Sequence, residues 1–321
     1  MSISHVAFHS ISLARVWRAM FATIVSAAAA MVPTSNAAAM VPTSKEISPG
    51  VFMPYINLGG VHTHPSNYSA WLDIGGVGLD TALMYGDDVQ LHVGDAIAAH
   101  GRPDTLFVTT KVPCCPEGTL NTSWCAWYDS EYADLDAGTR GDIDLRLLGL
   151  DKVDLMLLHW PCQTMEQTIA TYRALEDFQL AGKATNIGIS NFNSTAIKAL
   201  YAAGLRVPPV VNQCGFSIAG HSRPDAGRDF ETLAECKRRN ITYSAYSPLG
   251  GLSKIPVLSN PTVKAVAAAH NKSTAQVALR WVTQQGVVAV TASTKASHLK
   301  GELDIFDFTL TDAEMATLTK I

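Results

Sequence analysis

Short apolar runs and helix-period stretches alternate along most of this chain. Eight runs read as strands, over residues 56–60, 77–81, 106–111, 153–159, 185–190, 210–213, 241–246 and 287–290. Most are continuously apolar, the pattern of parallel strands buried on both faces. Between them, residues 90–100, 165–180, 229–239 and 274–285 carry apolar positions at helical spacing. These stretches stop at Gly101, Ala181-Gly182, Asn240 and Gly286, residue types common at helix C-termini. The alternation predicts βα units, and eight of them predict closure into a (β/α)8 TIM barrel of α/β class. No Pro/Ser-rich linker divides the region, so residues 45–321 are assigned to a single barrel domain.

The first 44 residues depart from this pattern. No acidic residue precedes Glu46, and Arg15 and Arg18 stand before an apolar stretch over residues 19–32, with small residues at 37–39. This order reads as a secretory signal peptide, and residues 1–44 are assigned to a leader that is cleaved or unstructured. An organellar transit peptide, or a tail on a cytoplasmic protein, is the alternative. Met-Val-Pro-Thr-Ser occurs at 31–35 and again at 40–44, a duplication confined to the leader. Asn67, Asn121, Asn193, Asn240 and Asn271 each begin an Asn-X-Ser/Thr triplet, and Cys114, Cys115 and Cys125 are three of six cysteines. Glycosylation and disulfides are therefore both open to a secreted chain, with the cysteine pairing undetermined.

Composition narrows the function. The chain has 321 residues, 47% hydrophobic and with a net charge of -4, enough to bury a large core unaided. No basic stripe with interleaved aromatics points to nucleic acid. No run of about 18 strictly apolar residues predicts a membrane span, and no His/Cys cluster has metal-ligand spacing. A small molecule is the expected partner, for a monomer or small homo-oligomer.

In a TIM barrel the chemistry sits at the C-terminal strand ends. The second predicted strand ends near Asp80, the third at Lys111 and the fourth at His159, while Tyr85 follows on the second loop. A free Tyr has a pKa of about 10, which a nearby ammonium lowers. An Asp keeps that Lys charged and aimed, and a His orients a substrate oxygen. The set suits protonation of a carbonyl oxygen during hydride delivery to its carbon. Each residue alone has a plain structural reading: Asp80 as a cap, Tyr85 as a rim aromatic, Lys111 as a solvated strand end, His159 as a hydrogen bonder. Their convergence is what points to catalysis.

The blocks Leu79-Asp80-Thr81-Ala82-Leu83-Met84-Tyr85, Val108-Thr109-Thr110-Lys111, Asp154-Leu155-Met156-Leu157-Leu158-His159-Trp160-Pro161, Gly188-Ile189-Ser190-Asn191-Phe192, Val211-Asn212-Gln213 and Ala245-Tyr246-Ser247-Pro248-Leu249-Gly250 together resemble the aldo-keto reductases, from about Met53 to the C-terminus. The resemblance implies the same barrel and NAD(P)(H)-dependent, reversible reduction of aldehydes or ketones. Asp80, Tyr85, Lys111 and His159 match the family's catalytic tetrad, with Tyr85 as proton donor. Ser190, Asn191 and Gln213 match positions that hold the nicotinamide amide, Tyr246 the ring-stacking aromatic, and Ser247 and Leu249 positions near the pyrophosphate.

The eighth block departs from the family. Its usual Pro-Lys-Ser is Thr291-Ala292-Ser293, and His298 stands where an Arg is common. Ser293 is kept, and a neutral His298 does not grip phosphate as an Arg does; either Lys295 or Lys300 replaces the missing partners of the 2′-phosphate or the preference moves toward NAD(H), with NADP(H) favoured. Gly75-Gly76-Val77-Gly78 lacks the spacing of a dinucleotide fingerprint. Val61 and Trp160 stand at the substrate rim, and the loop between Lys111 and His159 is longer than usual and rich in Cys, Trp and Tyr. That loop is either a pocket lining or a small core of its own. The competing function is a non-catalytic NADP(H)-binding barrel acting as a redox-sensing partner subunit. A reduced nicotinamide cofactor sits uneasily with secretion, and the sequence leaves both in place.

Overall fold

The computed structural model describes residues 43–61, 65–114, 132 and 135–321. Residues 1–42 of the expected leader lie outside the described residues, while Ser44, assigned to its end, opens the first strand; Asn121 and Cys115, Trp124, Cys125, Trp127 and Tyr128 of the long loop also lie outside. The described chain opens with a hairpin that the apolar pattern did not flag, β1 (Ser44–Ser48) paired antiparallel with β2 (Val51–Pro54). The barrel strands follow as β3 (Ile56–Gly59), β4 (Gly78–Asp80), β5 (Phe107–Val112), β6 (Val153–Leu158), β7 (Ala184–Ser190) and β8 (Val211–Gly215). A two-residue hairpin, β9 (Ser222–Arg223) and β10 (Arg228–Asp229), precedes the last two, β11 (Thr242–Tyr246) and β12 (Val288–Thr291). All eight barrel strands are parallel and close in the order β11-β12-β3-β4-β5-β6-β7-β8. Each lies within about two residues of its predicted run; the TIM barrel read from the sequence is the observed fold.

Ten helices complete the described chain: α1 (Tyr68–Asp73), α2 (Asp87–His100), α3 (Ala137–Leu148), α4 (Met165–Leu180), α5 (Ser194–Ala202), α6 (Phe230–Arg238), α7 (Pro261–Ala269), α8 (Thr274–Gln284), α9 (Ala296–Leu303) and α10 (Asp312–Leu318). Their ends explain much of the local sequence. Thr164-x-x-Gln167, Ser273-x-x-Gln276 and Thr311-x-x-Glu314 form capping boxes that satisfy the first free N–H groups of α4, α8 and α10. Four of the five Asn-X-Ser/Thr triplets also start at helix boundaries. Asn67 and Asn193 cap α1 and α5, while Asn240 and Asn271 adopt the left-handed conformation just past α6 and α7.

Alternation along each strand builds two cores. Outward residues such as Leu79, Val108, Met156, Ile187 and Ala289 pack with the helices. Inward residues Phe107, Leu155, Leu157, Val211 and Val288 form a separate cluster with Met53 and Ile47, so the β1–β2 hairpin plugs the N-terminal end of the barrel. The plug leaves the C-terminal mouth as the place where inward polar groups gather. Gly75-Gly76-Val77-Gly78 serves packing. A Cβ on Gly76 would overlap the Trp71 indole, which donates to the Gly78 carbonyl at 3.0 Å. Among the described residues, no helix is long and apolar enough to cross a membrane.

Candidate active site

Lys111 and Asp80 occupy neighbouring parts of the barrel mouth because β4 and β5 run in register, Asp80 opposite Thr109. Two residues beyond Thr109 on the same inward face, Lys111 sends its ammonium to Asp80 Oδ1 at 2.6 Å and to the Thr81 carbonyl at 2.8 Å. Both side chains are buried. The second Asp80 oxygen accepts from Gln213 Nε2 at 2.7 Å, a bond that joins β4 across the barrel to β8. With several charge-assisted hydrogen bonds, the buried charges are compensated.

Tyr85 is carried back over this pair by a single 3-10 turn, Leu83–Tyr85, closed by the Tyr85 N–H to the Ala82 carbonyl at 2.9 Å. Gly86 ends the turn at φ 110°, a conformation that suits glycine, and α2 starts immediately after it. The Lys111 ammonium lies 5.5 Å from the centre of the Tyr85 ring. His159 extends β6, its N–H bonded to the Val112 carbonyl at 2.9 Å, and its ring meets Tyr85 edge-on at 5.7 Å. The Trp160 ring lies tilted against His159, with 4.4 Å between centroids. The four residues singled out from the sequence therefore share one site.

The electrostatics differ from the expectation in one respect. The Lys111 ammonium was expected to draw the Tyr85 phenol below its ordinary pKa. Instead, burial and then the Asp80 carboxylate push the phenol up. The direct ion pair with Asp80 offsets the Lys111 charge, so desolvation decides. Tyr85 is held protonated. Burial and then Lys111 hold His159 well below the ordinary imidazole range, and its buried Nδ1 has no partner among the described residues. The site thus presents a neutral imidazole beside a neutral phenol.

The residues expected to hold the nicotinamide adjoin this group. The Asn191 amide donates to the His159 carbonyl at 2.9 Å and to Ser190 Oγ at 3.1 Å, and Ser190 Oγ donates to the Gln213 carbonyl at 2.7 Å. Asn191 sits at φ 62°, pinned by its own N–H to the Gln213 carbonyl. Tyr246, at the end of β11, donates to Asn191 Oδ1 at 2.7 Å. Ser247 follows in a left-handed conformation at φ 52°, and Leu249 is half-buried against the core. Ser293 is tied to the first loop: its N–H donates to Ser66 Oγ at 3.1 Å and its carbonyl accepts from the Asn67 N–H at 3.0 Å. Lys295 and His298 are exposed at the start of α9, where no side chain among the described residues caps the helix. Val61, just past β3, is half-buried at the edge of the described residues.

Two features at this mouth were not read from the sequence. Cys114, three residues after Lys111, forms a disulfide with Cys162, three residues after His159, with 5.2 Å between Cα atoms. Behind the Asp80–Lys111 pair, Asp144 of α3 is fully buried. It accepts from Thr110 Oγ1 at 2.6 Å and from Gln90, whose Oε1 in turn accepts from Thr81. Thr81 and Thr110 each neighbour a residue of the site.

The chain matches the aldo/keto reductase family over residues 67–321. It is 33% identical over 287 residues to morphine 6-dehydrogenase of Pseudomonas putida, covering 85% of this chain and 88% of that one. It is 31% identical over 280 residues to 9,11-endoperoxide prostaglandin H2 reductase of Trypanosoma cruzi, covering 84% and 88%. Among solved structures, a Bombyx mori aldo-keto reductase in complex with NADP aligns with a TM-score of 0.71 at 25% identity, covering 88% of this chain and 92% of that one. The protein belongs to the aldo-keto reductase family.

Proposed function

We propose that this protein reduces aldehydes or ketones to alcohols, reversibly, with NADP(H) as hydride carrier and Tyr85 as the proton donor. The observation that carries the reading is the shared mouth of Asp80, Lys111, Tyr85 and His159, with the Lys111–Asp80 contact at 2.6 Å and the Tyr85 and His159 rings at 5.7 Å. A phenol kept protonated is an acid in the reducing direction. A neutral His159 donates one hydrogen bond to a carbonyl oxygen without competing for its proton. Lys111 stabilises the charge that develops on Tyr85 as the proton leaves.

The donor set supports a nicotinamide dinucleotide. Ser190, Asn191 and Gln213 offer hydroxyl and amide groups for a carboxamide, and Tyr246 offers a ring beside them. When bound, the cofactor supplies the hydride. The uncapped N-terminus of α9, with exposed Lys295 and His298, offers N–H groups and positive charge to the 2′-phosphate that distinguishes NADP(H). That favours NADP(H) over NAD(H) and accords with the NADP held by the Bombyx mori structure. Val61 and Trp160 would border the carbonyl substrate. The Cys114–Cys162 disulfide supports a secretory or extracellular location, since such bonds persist where the surroundings are oxidising.

Purified protein given NADPH or NADH and a panel of aldehydes and ketones tests the reading by loss of reduced-cofactor absorbance. Turnover with NADPH exceeding that with NADH is the expected result. Tight NADPH binding without turnover of any carbonyl would support the non-catalytic barrel instead.

A further inference from the structure

Arg228 is half-buried in a stretch that contributes nothing to the Asp80–Lys111–Tyr85–His159 group. It lies on β10, in the excursion between β8 and α6. Both neighbours fix its backbone. Gly227, at φ 69°, gives its carbonyl to the Tyr243 hydroxyl at 2.7 Å, and a Cβ there would overlap the Phe192 carbonyl. Asp229 caps α6 through the Thr232 N–H at 2.7 Å. Arg228 is therefore aimed by its main chain rather than left as a free surface cation. Space for it comes from Gly215: a Cβ at that position would stand 3.0 Å from Arg228 Nε and 3.1 Å from Cδ.

The guanidinium reaches the end of β11. Nη2 donates to the Tyr246 hydroxyl at 2.8 Å, and the guanidinium carbon is 5.6 Å from the ring centre. The Tyr246 hydroxyl in turn donates to Asn191 Oδ1 at 2.7 Å, and the Asn191 amide donates to the His159 carbonyl and to Ser190 Oγ. One directed chain thus runs from Arg228 through Tyr246 and Asn191 to the main chain of His159. A cationic donor at the head of such a chain polarises every bond after it. Burial pushes the Tyr246 phenol up to about 12 against the pull of Arg228, so it stays a donor toward Asn191. Arg228 Nε is buried and has no partner among the described residues. Among the described residues no acid pairs with the guanidinium, which is held by its place against Tyr246.

We propose that Arg228 is a positioning residue for nicotinamide binding: by holding the Tyr246 hydroxyl, it fixes the Tyr246 ring and the Asn191 amide in the orientation that accepts the cofactor's nicotinamide half. This rests on the cofactor reading above. It differs from a direct phosphate contact in a way that can be measured, because NADPH and NADH share the nicotinamide half and differ only at the 2′-phosphate.

The test is a double-mutant cycle on cofactor affinity. Dissociation constants for NADPH and NADH are measured by quenching of intrinsic fluorescence for wild type, Arg228→Met, Tyr246→Phe and the double variant, with circular dichroism and melting temperature recorded for each. Loss of a charge-assisted bond on this chain is expected to weaken both cofactors about tenfold in Arg228→Met. Arg228→Lys should recover affinity to within about threefold of wild type, because a donor is restored. The double variant should bind no more than about twofold less tightly than Tyr246→Phe alone, since the hydroxyl through which Arg228 acts is already gone. KM for cofactor should rise in Arg228→Met with little change in kcat, a split that a general loss of structure does not give. Should Arg228→Met not fold, Arg228→Gln enters the same cycle. Unchanged affinity, full additivity with Tyr246→Phe, or a loss confined to NADPH would each overturn the proposal. Wild-type protein that binds neither cofactor would overturn the cofactor reading and this inference with it.

Discussion

Lys111 and Gln213 hold opposite oxygens of one carboxylate: Asp80 Oδ1 accepts from Lys111 at 2.6 Å and Oδ2 from Gln213 at 2.7 Å. Asp80 therefore joins the proton-handling side of the mouth to the side expected to hold nicotinamide. Asp80→Asn keeps the shape and removes the charge, leaving the Lys111 ammonium buried without its counter-ion. Breaking a buried pair in this way costs roughly 3–5 kcal/mol. The expected outcome is a fall in melting temperature together with a drop in kcat/KM of about a hundredfold or more. Thermal denaturation and steady-state kinetics on the same preparation check both. Unchanged stability would show that the pair is not buried as described.

The Cys114–Cys162 bond closes a loop with a sequence separation of 48. Chain-entropy reasoning assigns a loop of that size about 4 kcal/mol. Because it clasps the segments just beyond Lys111 and His159, its loss should also loosen the substrate side of the mouth. Cys162→Ser is expected to melt lower and to raise KM for the carbonyl substrate more than KM for the cofactor. Non-reducing peptide mapping should recover the linked pair. Recovery of Cys114 and Cys162 as free thiols from protein never exposed to reductant would contradict this.

Asp144 gives the fold a pH dependence with a definite sign. Burial raises its carboxyl to about 7, with the Thr110 and Gln90 hydrogen bonds opposing. A carboxyl whose folded pKa lies above its unfolded value binds protons more tightly in the native state. Stability is therefore lost as pH rises from about 4 to about 7, by on the order of 1 kcal/mol per pH unit at most. Asp144→Asn removes that dependence. The melting temperature of the variant minus that of wild type is expected to become more positive between pH 5 and pH 8. A difference that does not change with pH would show that Asp144 does not titrate in that window.

Lys295 and His298 carry the expected NADP(H) preference. Lys295→Ala should weaken NADPH several-fold and leave NADH unchanged, and His298→Arg should strengthen NADPH alone, because Arg grips phosphate with paired donors. Titration of both cofactors by fluorescence checks this. Equal effects on the two would place these residues away from the 2′-phosphate.

The barrel was legible because its strands are buried on both faces and read as apolar runs, as with 153–159. Asp80, Lys111 and His159 were legible because each ends such a run. The β1–β2 hairpin was not, since strands of four and five residues with Ser, Lys and Glu carry little pattern. Helix α3 was masked by Gly138 and Gly141, and the latter is there because a Cβ would overlap the Phe178 ring. The Cys114–Cys162 pair and the Asp144 cluster join residues far apart in sequence, so spacing holds no trace of them. Proximity to Lys111 alone predicts a lowered Tyr85 pKa; the burial that the barrel imposes, which no sequence position shows, reverses the sign. Arg228 lay in a stretch with no periodicity, and only the folded position of Gly215 shows where its side chain goes.

Proton delivery by Tyr85 rests on its hydroxyl. Tyr85→Phe keeps the ring against His159 and removes only the hydroxyl. Mixing the variant with NADPH and then with an aldehyde that wild type reduces, under single-turnover conditions, separates binding from chemistry. NADPH affinity within about twofold of wild type, with hydride transfer slowed by at least about a hundredfold, is the result expected. Hydride transfer at the wild-type rate would remove Tyr85 from the mechanism.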